Sequence, residues 1–325
     1  MGNTKILVGD VGGTHARFAI VDTAEKSFRV GQHDEIDTKA AGSFKAALQT
    51  YLDRVGAERP PAAALAVAGP VTSGRVHFTN SGWEISEQEL QQVGFARALL
   101  INDFAALAFS VTALSPTAFH TIGPELQGMV DEPITIVGAG TGFGVSCLAR
   151  YRGRAVPIAT EGGHMSFAPR GEAQIAVLQV LAKWFGHVSV ERVVSGPGLE
   201  HIYGALEEIA GRQGQSLFAE QISDAAEAGD VSCRAAQDMF CEIYGAAAGD
   251  FALAHGARGG VYIAGGIAAK IEPYLQRSRF RTAFEDKGRL SDFLKPIPTK
   301  LIVDPNAAFL GAAYASLEFS KGARG

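Results

Sequence analysis

Short apolar runs alternate with helix-like patterns along the first third of the chain. Apolar residues from Phe44 to Val55 keep helical spacing behind Ser43, a candidate N-cap, and Ser86 and Glu89 have the spacing of a capping box. A further helix is predicted from Ala105 to Leu114. Strand-like runs stand at Ile6–Gly9, Arg17–Val21, Ala64–Ala68 and Leu99–Ile101. This alternation predicts an α/β domain.

The pattern restarts after the poorly patterned stretch Thr121–Glu132. A strand, a turn and a second strand are predicted over Ile134–Arg150, which indicates a second α/β domain. Glu220–Glu227 and Arg277–Arg281 show no pattern beyond that of a solvated helix or loop. Helices are predicted at Glu172–Phe185, Leu199–Ala210, Ser232–His255 and Asn306–Phe319, and strands at Gly260–Ala264 and Lys300–Val303.

Two glycine-rich turns between apolar runs resemble each other. The first turns at Gly9-Asp10-Val11-Gly12-Gly13-Thr14, and the second at Gly138-Ala139-Gly140-Thr141-Gly142. Glycine admits φ > 0 and lets backbone N–H groups approach a ligand, and a run of such groups can bind an anion. Two similar turns favour a duplicated half that holds one polyphosphate at two places. The alternative is a pair of tight β-hairpins.

Composition and charge exclude several classes of function. The 325 residues carry a net charge of −5, which leaves no basic footprint for nucleic acid. No uncharged apolar stretch reaches membrane-spanning length, so we expect no membrane partner. Cys147, Cys233 and Cys241 have neither disulfide nor metal spacing. They are predicted to be buried thiols, which fits a cytoplasmic protein.

Several common site motifs are missing. The chain has no G-x-x-x-x-G-K-[ST] phosphate loop, no zinc-type Cys/His cluster and no Gly-x-Ser-x-Gly. The second turn departs from G-x-G-x-x-G at Phe143, and Val145–Leu148 reads as a strand where a dinucleotide motif opens a helix.

Two acidic residues near the predicted strand ends suit phosphoryl transfer. Asp10, inside the first turn, would repel phosphate unless a divalent cation such as Mg²⁺ lay between them; the alternative is an Asx turn. Asn102 and Asp103 follow a strand-like run, and Asp103 could accept the proton of a substrate hydroxyl. The alternative for Asp103 is an N-cap on the next helix.

Two further clusters suit a substrate with many hydroxyls. One is Glu161-Gly162-Gly163-His164, and the other is Glu191, just before the glycine-rich segment Ser195–Gly198. Carboxylate, amide and imidazole groups exchange hydrogen bonds with sugar hydroxyls. A lone His164 or Glu191 is also commonly a surface group or a satisfied polar group.

Seven segments, taken in order, resemble the bacterial glucokinase family, the hexokinase-type group outside the repressor-kinase branch. The resemblance covers nearly the whole chain, and the cysteine-rich zinc motif of the repressor-kinase branch is absent. His15 stands where the family usually has Asn, and we expect a tuned contact there. The segments are GDVGGTHARFAIVD, INDFAA, GAGTGFG, EGGH, ERVVSGPG, IAGGI and AFEDKGR.

The resemblance implies a fold shared with actin, hexokinases and Hsp70 ATPase domains. Its two RNase H-like α/β domains surround a cleft, here residues 1–113 with 304–325 and residues 114–303. It also implies that a homodimer uses ATP and Mg²⁺ to convert D-glucose to glucose 6-phosphate, the first step of glycolysis.

The same resemblance assigns the site residues. Asp103 is the expected general base, Asp10 is the expected Mg²⁺ residue (directly or through water), and Gly265 and Gly266 are expected near the adenosine. Glucose is expected to contact Asn102, Asp103, Glu161, His164 and Glu191. The nucleotide is expected to contact Gly9, Asp10, Val11, Gly12, Gly13, Thr14, Gly138, Gly140, Thr141, Gly142, Gly265 and Gly266.

Two other functions stay open on these residues. A kinase for another hexose would use the same phosphate-binding turns. A non-catalytic relative, either actin-like or sugar-sensing, would not need both Asn102-Asp103 and the Glu161–His164 cluster.

Overall fold

The chain divides into two compact units. The computed structural model describes residues 4–24, 28–56, 59–78, 81–151, 153–212 and 215–322. One unit contains Met1–Ala118, Tyr151–Ala159 and Asp304–Gly325, and the other contains Phe119–Arg150 and Thr160–Val303. Compact units of this kind need not coincide with domains, so the domain limits drawn from the sequence stay a prediction.

Strands and helices alternate through both units. The strands are β1 (Lys5–Val11), β2 (His15–Asp22), β3 (Arg29–Asp37), β4 (Ala62–Val67), β5 (Arg75–His77), β6 (Glu84–Ser86), β7 (Arg97–Asn102), β8 (Phe119–Thr121), β9 (Ile134–Ala139), β10 (Phe143–Tyr151), β11 (Arg154–Thr160), β12 (Gly260–Ala264) and β13 (Thr299–Ile302). The helices are α1 (Thr38–Ala41), α2 (Phe44–Val55), α3 (Glu87–Gln92), α4 (Asp103–Ala113), α5 (Gly171–Phe185), α6 (Gly196–Ile209), α7 (Ala219–Ala228), α8 (Val231–His255), α9 (Gly266–Lys270), α10 (Glu272–Arg277), α11 (Phe280–Glu285), α12 (Ser291–Leu294) and α13 (Ala307–Gly322). Short 3₁₀ turns cover Pro116–Ala118, Gly162–His164 and Gly288–Leu290.

The first unit is built on a five-stranded sheet in the order β3-β2-β1-β4-β7. β1 is antiparallel to β2 and parallel to β4, and β4 is parallel to β7. The register places Val11 opposite Val67, and Val67 opposite Asn102. The carboxyl ends of the three parallel strands therefore lie in one row at one edge of the sheet.

Helices cover this sheet through apolar contacts. α13 packs against α4, β1 and β4. An apolar cluster joins Phe44, Leu48 and Tyr51 of α2 to Phe18 and Leu65 of the sheet. The Ser43 hydroxyl accepts the Ala46 N–H at 3.2 Å and caps α2, which confirms the helix start predicted from the sequence.

The second unit repeats the strand pairing of the first. Its strands lie in the order β10-β9-β12-β13-β8. β9 is antiparallel to β10 and parallel to β12, and β12 is parallel to β13. β9, β10, β12 and β13 thus correspond to β1, β2, β4 and β7. The inferred duplication is confirmed at the level of strand pairing.

The long helix α8 organises the packing of the second unit. α6, α7 and α11 pack against α8, which also contacts β9 and β12. Cys233 and Cys241 on α8 and Cys147 on β10 are buried thiols, as predicted. Burial raises the pKa of Cys241 to about 12, so this thiol stays protonated at neutral pH.

Two segments without a sequence pattern prove to be mainly helical. Glu220–Glu227 lies within α7, where only Ile222 and Ala226 are buried, so the helix has a narrow apolar stripe. Arg277–Arg281 covers the end of α10 and the start of α11. No helix of the described ranges is long and apolar enough to cross a membrane.

Candidate active site

The first glycine turn is shorter than the sequence suggests. β1 continues through Val11, so the turn proper is Gly12-Gly13-Thr14. The Gly12 N–H donates to the His15 carbonyl at 2.9 Å and closes a β-hairpin. The prediction that Asp10 lies inside the turn is wrong, because both Gly9 and Asp10 belong to the strand.

The glycines in and beside the two turns do not use a left-handed backbone, and Gly9 serves close packing instead. Among the described residues, the glycines with positive φ do not include Gly9, Gly12, Gly140 or Gly142. A Cβ on Gly9 would lie 2.7 Å from Leu65 Cδ2, so any other residue would have to displace this fully buried side chain.

Asp10 is held by an arginine across the hairpin. The register places Asp10 directly opposite Arg17, and the Arg17 guanidinium forms an ion pair with Asp10 Oδ2. The guanidinium carbon lies 5.4 Å from the centre of the Phe309 ring on α13, a cation–π distance. The ring of Phe309 thus helps to position the arginine that pairs with this carboxylate.

A threonine missed by sequence reasoning anchors the first turn. The buried Thr38 hydroxyl donates to the carbonyls of Gly13 and Thr14 at 2.9 and 3.0 Å, and the Thr38 N–H also donates to Thr14 at 3.0 Å. His15 Nδ1 lies 3.4 Å from Glu35 Oε1 on the exposed side of the hairpin. No local pattern marks Thr38, since its contact spans more than 20 residues.

Asn102 and Asp103 lie where β7 passes into α4. Asn102 is the N-cap, because its Oδ1 accepts the Ala105 N–H at 3.1 Å. Asp103 is the first residue of the helix, so the alternative that Asp103 caps α4 is wrong. Its Oδ1 accepts the Phe104 N–H at 2.9 Å and the Asn102 amide at 3.0 Å, and these bonds fix the direction of the carboxylate.

The first turn and Asp103 share one edge of the sheet. Val11, Val67 and Asn102 are successive partners in the register, and neighbouring strands lie about 4.8 Å apart. The backbone at the turn therefore lies roughly 10 Å from that at Asn102. An ATP phosphate and an acceptor hydroxyl can both fit within that span.

The second turn is also a tight hairpin. Ala139 pairs with Phe143, and the Gly140 N–H donates to the Gly142 carbonyl at 2.8 Å. The Ala139 N–H donates to the Tyr244 hydroxyl at 3.3 Å, and complete burial of this tyrosine raises its pKa. The hairpin alternative is thus correct for local structure at both turns, and it does not exclude phosphate binding.

Two helix N-termini meet the second turn. The Gly196 N–H at the start of α6 donates to the Gly140 carbonyl at 2.8 Å, and Ser195 caps that helix through the Gly198 N–H at 2.9 Å. Gly265, with φ of +90°, lies so close to the Ala139 carbonyl that a side chain would overlap it. Gly266 then begins α9, which brings both predicted adenosine residues beside the turn.

Glu161 and His164 flank a short 3₁₀ turn. Their side chains are 72% and 63% exposed, and Glu161 Oε2 lies 4.0 Å from His164 Nε2. The buried Gly163 between them packs against the carbonyl of Phe143, where any side chain would overlap. Both polar groups can therefore reach a ligand from solvent, and their backbone is tied to the second hairpin.

Glu191 lies between the Glu161–His164 cluster and the second turn. Its N–H donates to the Gly163 carbonyl at 2.9 Å, and its Oε2 accepts the Phe143 N–H at 2.9 Å. Glu191 is therefore, in part, the polar group with satisfied hydrogen bonds that the alternative interpretation describes. His164 is exposed in this structure, as its surface-group alternative states, and Glu161 beside it is exposed as well.

Each unit thus gathers its own set of predicted residues. The first unit brings the turn after β1 to the edge that carries Asn102 and Asp103. The second brings Gly138–Gly142, Gly265 and Gly266, Glu161 and His164, and Glu191 into one connected region. Sequence reasoning missed Thr38 and Tyr244, whereas Ser195 followed by Pro197 carries a readable helix-start signal.

Known proteins resemble this chain over nearly its whole length. A family model described as Glucokinase matches residues 7–318. A protein named Glucokinase from Caulobacter sp. (strain K31) is 46% identical over 310 residues, which make up 95% of this chain and 94% of that protein. The structure of a glucokinase from an Antarctic psychrotroph is similar with a TM-score of 0.89 and 38% identity, over 97% of this chain and 99% of that one.

A more distant structure shares the fold alone. It is a ROK family glucokinase from Streptomyces griseus in complex with glucose and AMPPNP. Its TM-score is 0.63 at 19% identity, over 95% of this chain and 98% of that one.

Proposed function

We propose a role for Asp103 from one premise: this chain belongs to the glucokinase family and catalyses ATP-dependent phosphorylation of glucose. In that role Asp103 is the general base of the reaction. A bond forms between O6 of glucose and the γ-phosphorus, and the bond from that phosphorus to the β–γ bridging oxygen breaks. ADP leaves with the bridging oxygen. The proton of the 6-hydroxyl passes to the Asp103 carboxylate.

One observation carries this proposal. Asp103 lies at the edge of the sheet where the first turn presents its backbone, and two hydrogen bonds to Oδ1 fix its direction. A base must be aimed before the reaction to contribute its full effect. The Asn102 amide serves this aim while its oxygen caps α4.

The remaining polar residues are proposed as glucose ligands. Asn102, Glu161, His164 and Glu191 offer the mixture of donors and acceptors that sugar hydroxyls require. Exposure of Glu161 and His164 supports this role, because both can bind a ligand without losing a buried partner. The Streptomyces griseus relative binds glucose together with AMPPNP, which supports binding of both substrates here.

The two hairpin turns are proposed to hold the phosphates of ATP. Gly13 and Thr14 in one turn, and Thr141 and Gly142 in the other, present backbone N–H groups in turns free of large side chains, while the N–H groups of Gly12 and Gly140 close the two hairpins. A Cβ on Gly140 would meet no atom within 4 Å, so this side of the second turn is open to a ligand. Gly9, Val11 and Gly138 support the turns from within their strands, and Gly265 and Gly266 are proposed near the adenosine.

Asp10 fits a magnesium ion that is held mainly by ATP and water. Mg²⁺ commonly takes one or two carboxylates together with phosphate oxygens and water. Within the described residues, no group of three His, Cys, Asp or Glu side chains could form an all-protein metal site. Asp10, already paired with Arg17, would contact the ion directly or through water, and the ion would neutralise charge on the phosphates.

The family resemblance also supports three proposals about the protein as a whole. We propose two RNase H-like domains, a homodimer and a cytoplasmic location. A sedimentation-equilibrium mass equal to that of one chain would exclude the dimer, and recovery outside the cytoplasmic fraction would exclude the location.

Replacement of Asp103 tests the proposed base. We expect Asp103→Ala to lower kcat by about 10²-fold or more, because the 6-hydroxyl loses its proton acceptor. Glucose affinity should change little, since Asn102 and the three residues of the second unit remain. The measurement is steady-state turnover together with calorimetric titration of glucose. Near-normal kcat in a folded variant would remove Asp103 as the base.

A further inference from the structure

Glu191 belongs to the sugar-binding set, yet its carboxylate lies on the second turn. Its Oε2 accepts the Phe143 N–H at 2.9 Å, immediately after Gly142. A Cβ on Gly142 would stand 2.5 Å from that same oxygen. A side chain at position 142 would therefore displace the Glu191 carboxylate from this place, and the absence of a positive φ leaves that contact as the reason for glycine here.

The backbone of Glu191 joins the same two regions. Its N–H donates to Gly163, between Glu161 and His164, and its carbonyl accepts the Ser195 hydroxyl at 2.7 Å. Ser195 caps α6, whose Gly196 N–H donates to the Gly140 carbonyl at 2.8 Å. A continuous chain of hydrogen bonds thus runs from the sugar-binding cluster to both ends of the second turn.

We propose that Glu191 couples glucose binding to nucleotide binding within the second unit, and that Gly142 is the positioning residue that permits the coupling. A glucose hydroxyl bound to the carboxylate holds Glu191 against the Phe143 N–H. The ordered carboxylate in turn holds the turn that receives the ATP phosphates. This inference rests on the proposed roles of Glu191 and of the second turn.

The coupling has a consequence in both directions. If glucose raises the affinity for nucleotide through Glu191, then nucleotide must raise the affinity for glucose by the same factor. A change in the second turn that displaces Glu191 should also weaken glucose binding when no nucleotide is present, because Glu191 is itself a proposed glucose ligand. A turn that binds phosphate alone would have no such effect.

Gly142→Ala and Gly140→Ala form a matched pair for this test. The two glycines belong to one three-residue turn, but only position 142 faces Glu191; position 140 has open space within 4 Å. We expect Gly142→Ala to weaken glucose binding about fivefold or more in a calorimetric titration without nucleotide. Gly140→Ala should leave that value within about twofold. Equal affinities in both variants, whether weakened or unchanged, would overturn the coupling.

A second pair of variants tests the coupling by changing proposed sugar ligands. This test does not depend on the folding of Gly142→Ala. Glu191→Asp shortens the side chain, so its carboxylate no longer reaches the Phe143 N–H. Glu161→Asp changes an exposed carboxylate that lies against His164 instead. We expect only Glu191→Asp to weaken AMPPNP binding without glucose, by about fivefold or more. Unchanged AMPPNP affinity in Glu191→Asp would contradict the inference.

A wrong assignment of Glu191 as a sugar ligand can be distinguished from an absence of coupling. If Glu191→Gln binds glucose as the unaltered protein does, Glu191 is not a sugar ligand and the proposed site is wrong. If Glu191→Gln weakens glucose binding but Gly142→Ala does not, the site stands and the coupling alone is refuted. Thermal unfolding of each variant shows that the comparison is made on folded protein.

Discussion

The ion pair between Asp10 and Arg17 changes the interpretation of the first turn at the scale of single residues. Both side chains are only partly exposed, at 25% and 33%, and Arg17 also lies over Phe309. A partly buried carboxylate without a partner is costly. The arginine thus stabilises an acidic residue beside the turn that is proposed to bind phosphate, before any nucleotide or metal arrives.

Removal of this arginine should lower stability more than removal of an exposed one. We expect Arg17→Gln to reduce the free energy of unfolding by about 1–3 kcal/mol, because Asp10 loses a charged hydrogen-bond donor. The control is Arg75→Gln, which removes an arginine that is 58% exposed and lies 3.4 Å from Glu84, itself 62% exposed. That change should cost under about 1 kcal/mol. Urea denaturation of both variants makes the comparison, and equal losses would refute a special role for Arg17.

Single residues differ in how far the sequence reveals their place. Asn102 and Asp103 were placed at a strand end because an apolar run stops there, and the structure agrees. Asp10 was misplaced because apolar periodicity does not set the length of a hairpin loop. The contact of Glu191 with the Phe143 N–H spans 48 residues, and no local pattern carries such a pairing.

At the scale of elements, close helix packing supports the edge of the sheet that carries Asp103. α13 lies against α4, the helix that begins at Asp103. At the contact, Gly311 of α13 lies so near the Ala106 carbonyl that a Cβ would overlap it. The absence of a side chain at position 311 allows the two helices to touch and holds α4 against the sheet.

A methyl group at this contact should force the helices apart. We expect Gly311→Ala to cost about 1–3 kcal/mol of unfolding free energy, because the carbonyl it meets belongs to the backbone. Gly204→Ala on α6 is the control, since its Cβ would meet a Trp184 ring atom at 3.3 Å. Better helix propensity, up to about 1 kcal/mol, offsets that contact. Denaturant midpoints decide the matter, and an equal or smaller loss in Gly311→Ala would contradict this packing account.

Elements with strong periodicity were predictable and weakly patterned ones were not. Element type was predicted correctly from the apolar runs of four strands and from the apolar stripe of one helix. These are β1, β4, β7, β9 and α2. The sequence does not distinguish α7 from a solvated loop, because the buried face of this helix holds only Ile222 and Ala226. The order of the strands in each sheet could not be predicted, because strands that pair, such as β1 and β4, are far apart in the sequence.

The repeated strand pairing is the main feature at the scale of the whole molecule. Similarity between the two turns predicted a duplication, and the sheets show it in the matching partners of β1 and β9. Each copy presents a hairpin turn at the carboxyl end of its first strand. The copies have diverged in what surrounds that turn: Asp10 and Asp103 in the first, Glu191 and His164 in the second.

The proposed reaction predicts a strict dependence of ATP turnover on an acceptor sugar. The proposed base takes its proton from a sugar hydroxyl, so the phosphoryl group has no proper acceptor without glucose. A sugar-sensing or actin-like relative would not couple ATP consumption to sugar in this way, and a kinase for another hexose would prefer a different acceptor.

The most direct test is glucose-dependent release of ADP in a coupled assay with ATP and Mg²⁺. Initial rates are compared for glucose, mannose, fructose, N-acetylglucosamine and no sugar. We expect ADP release to require sugar, with the highest kcat/KM on glucose and glucose 6-phosphate as the product. ADP release at the same rate without sugar, or a higher kcat/KM on another of these sugars, would contradict the account.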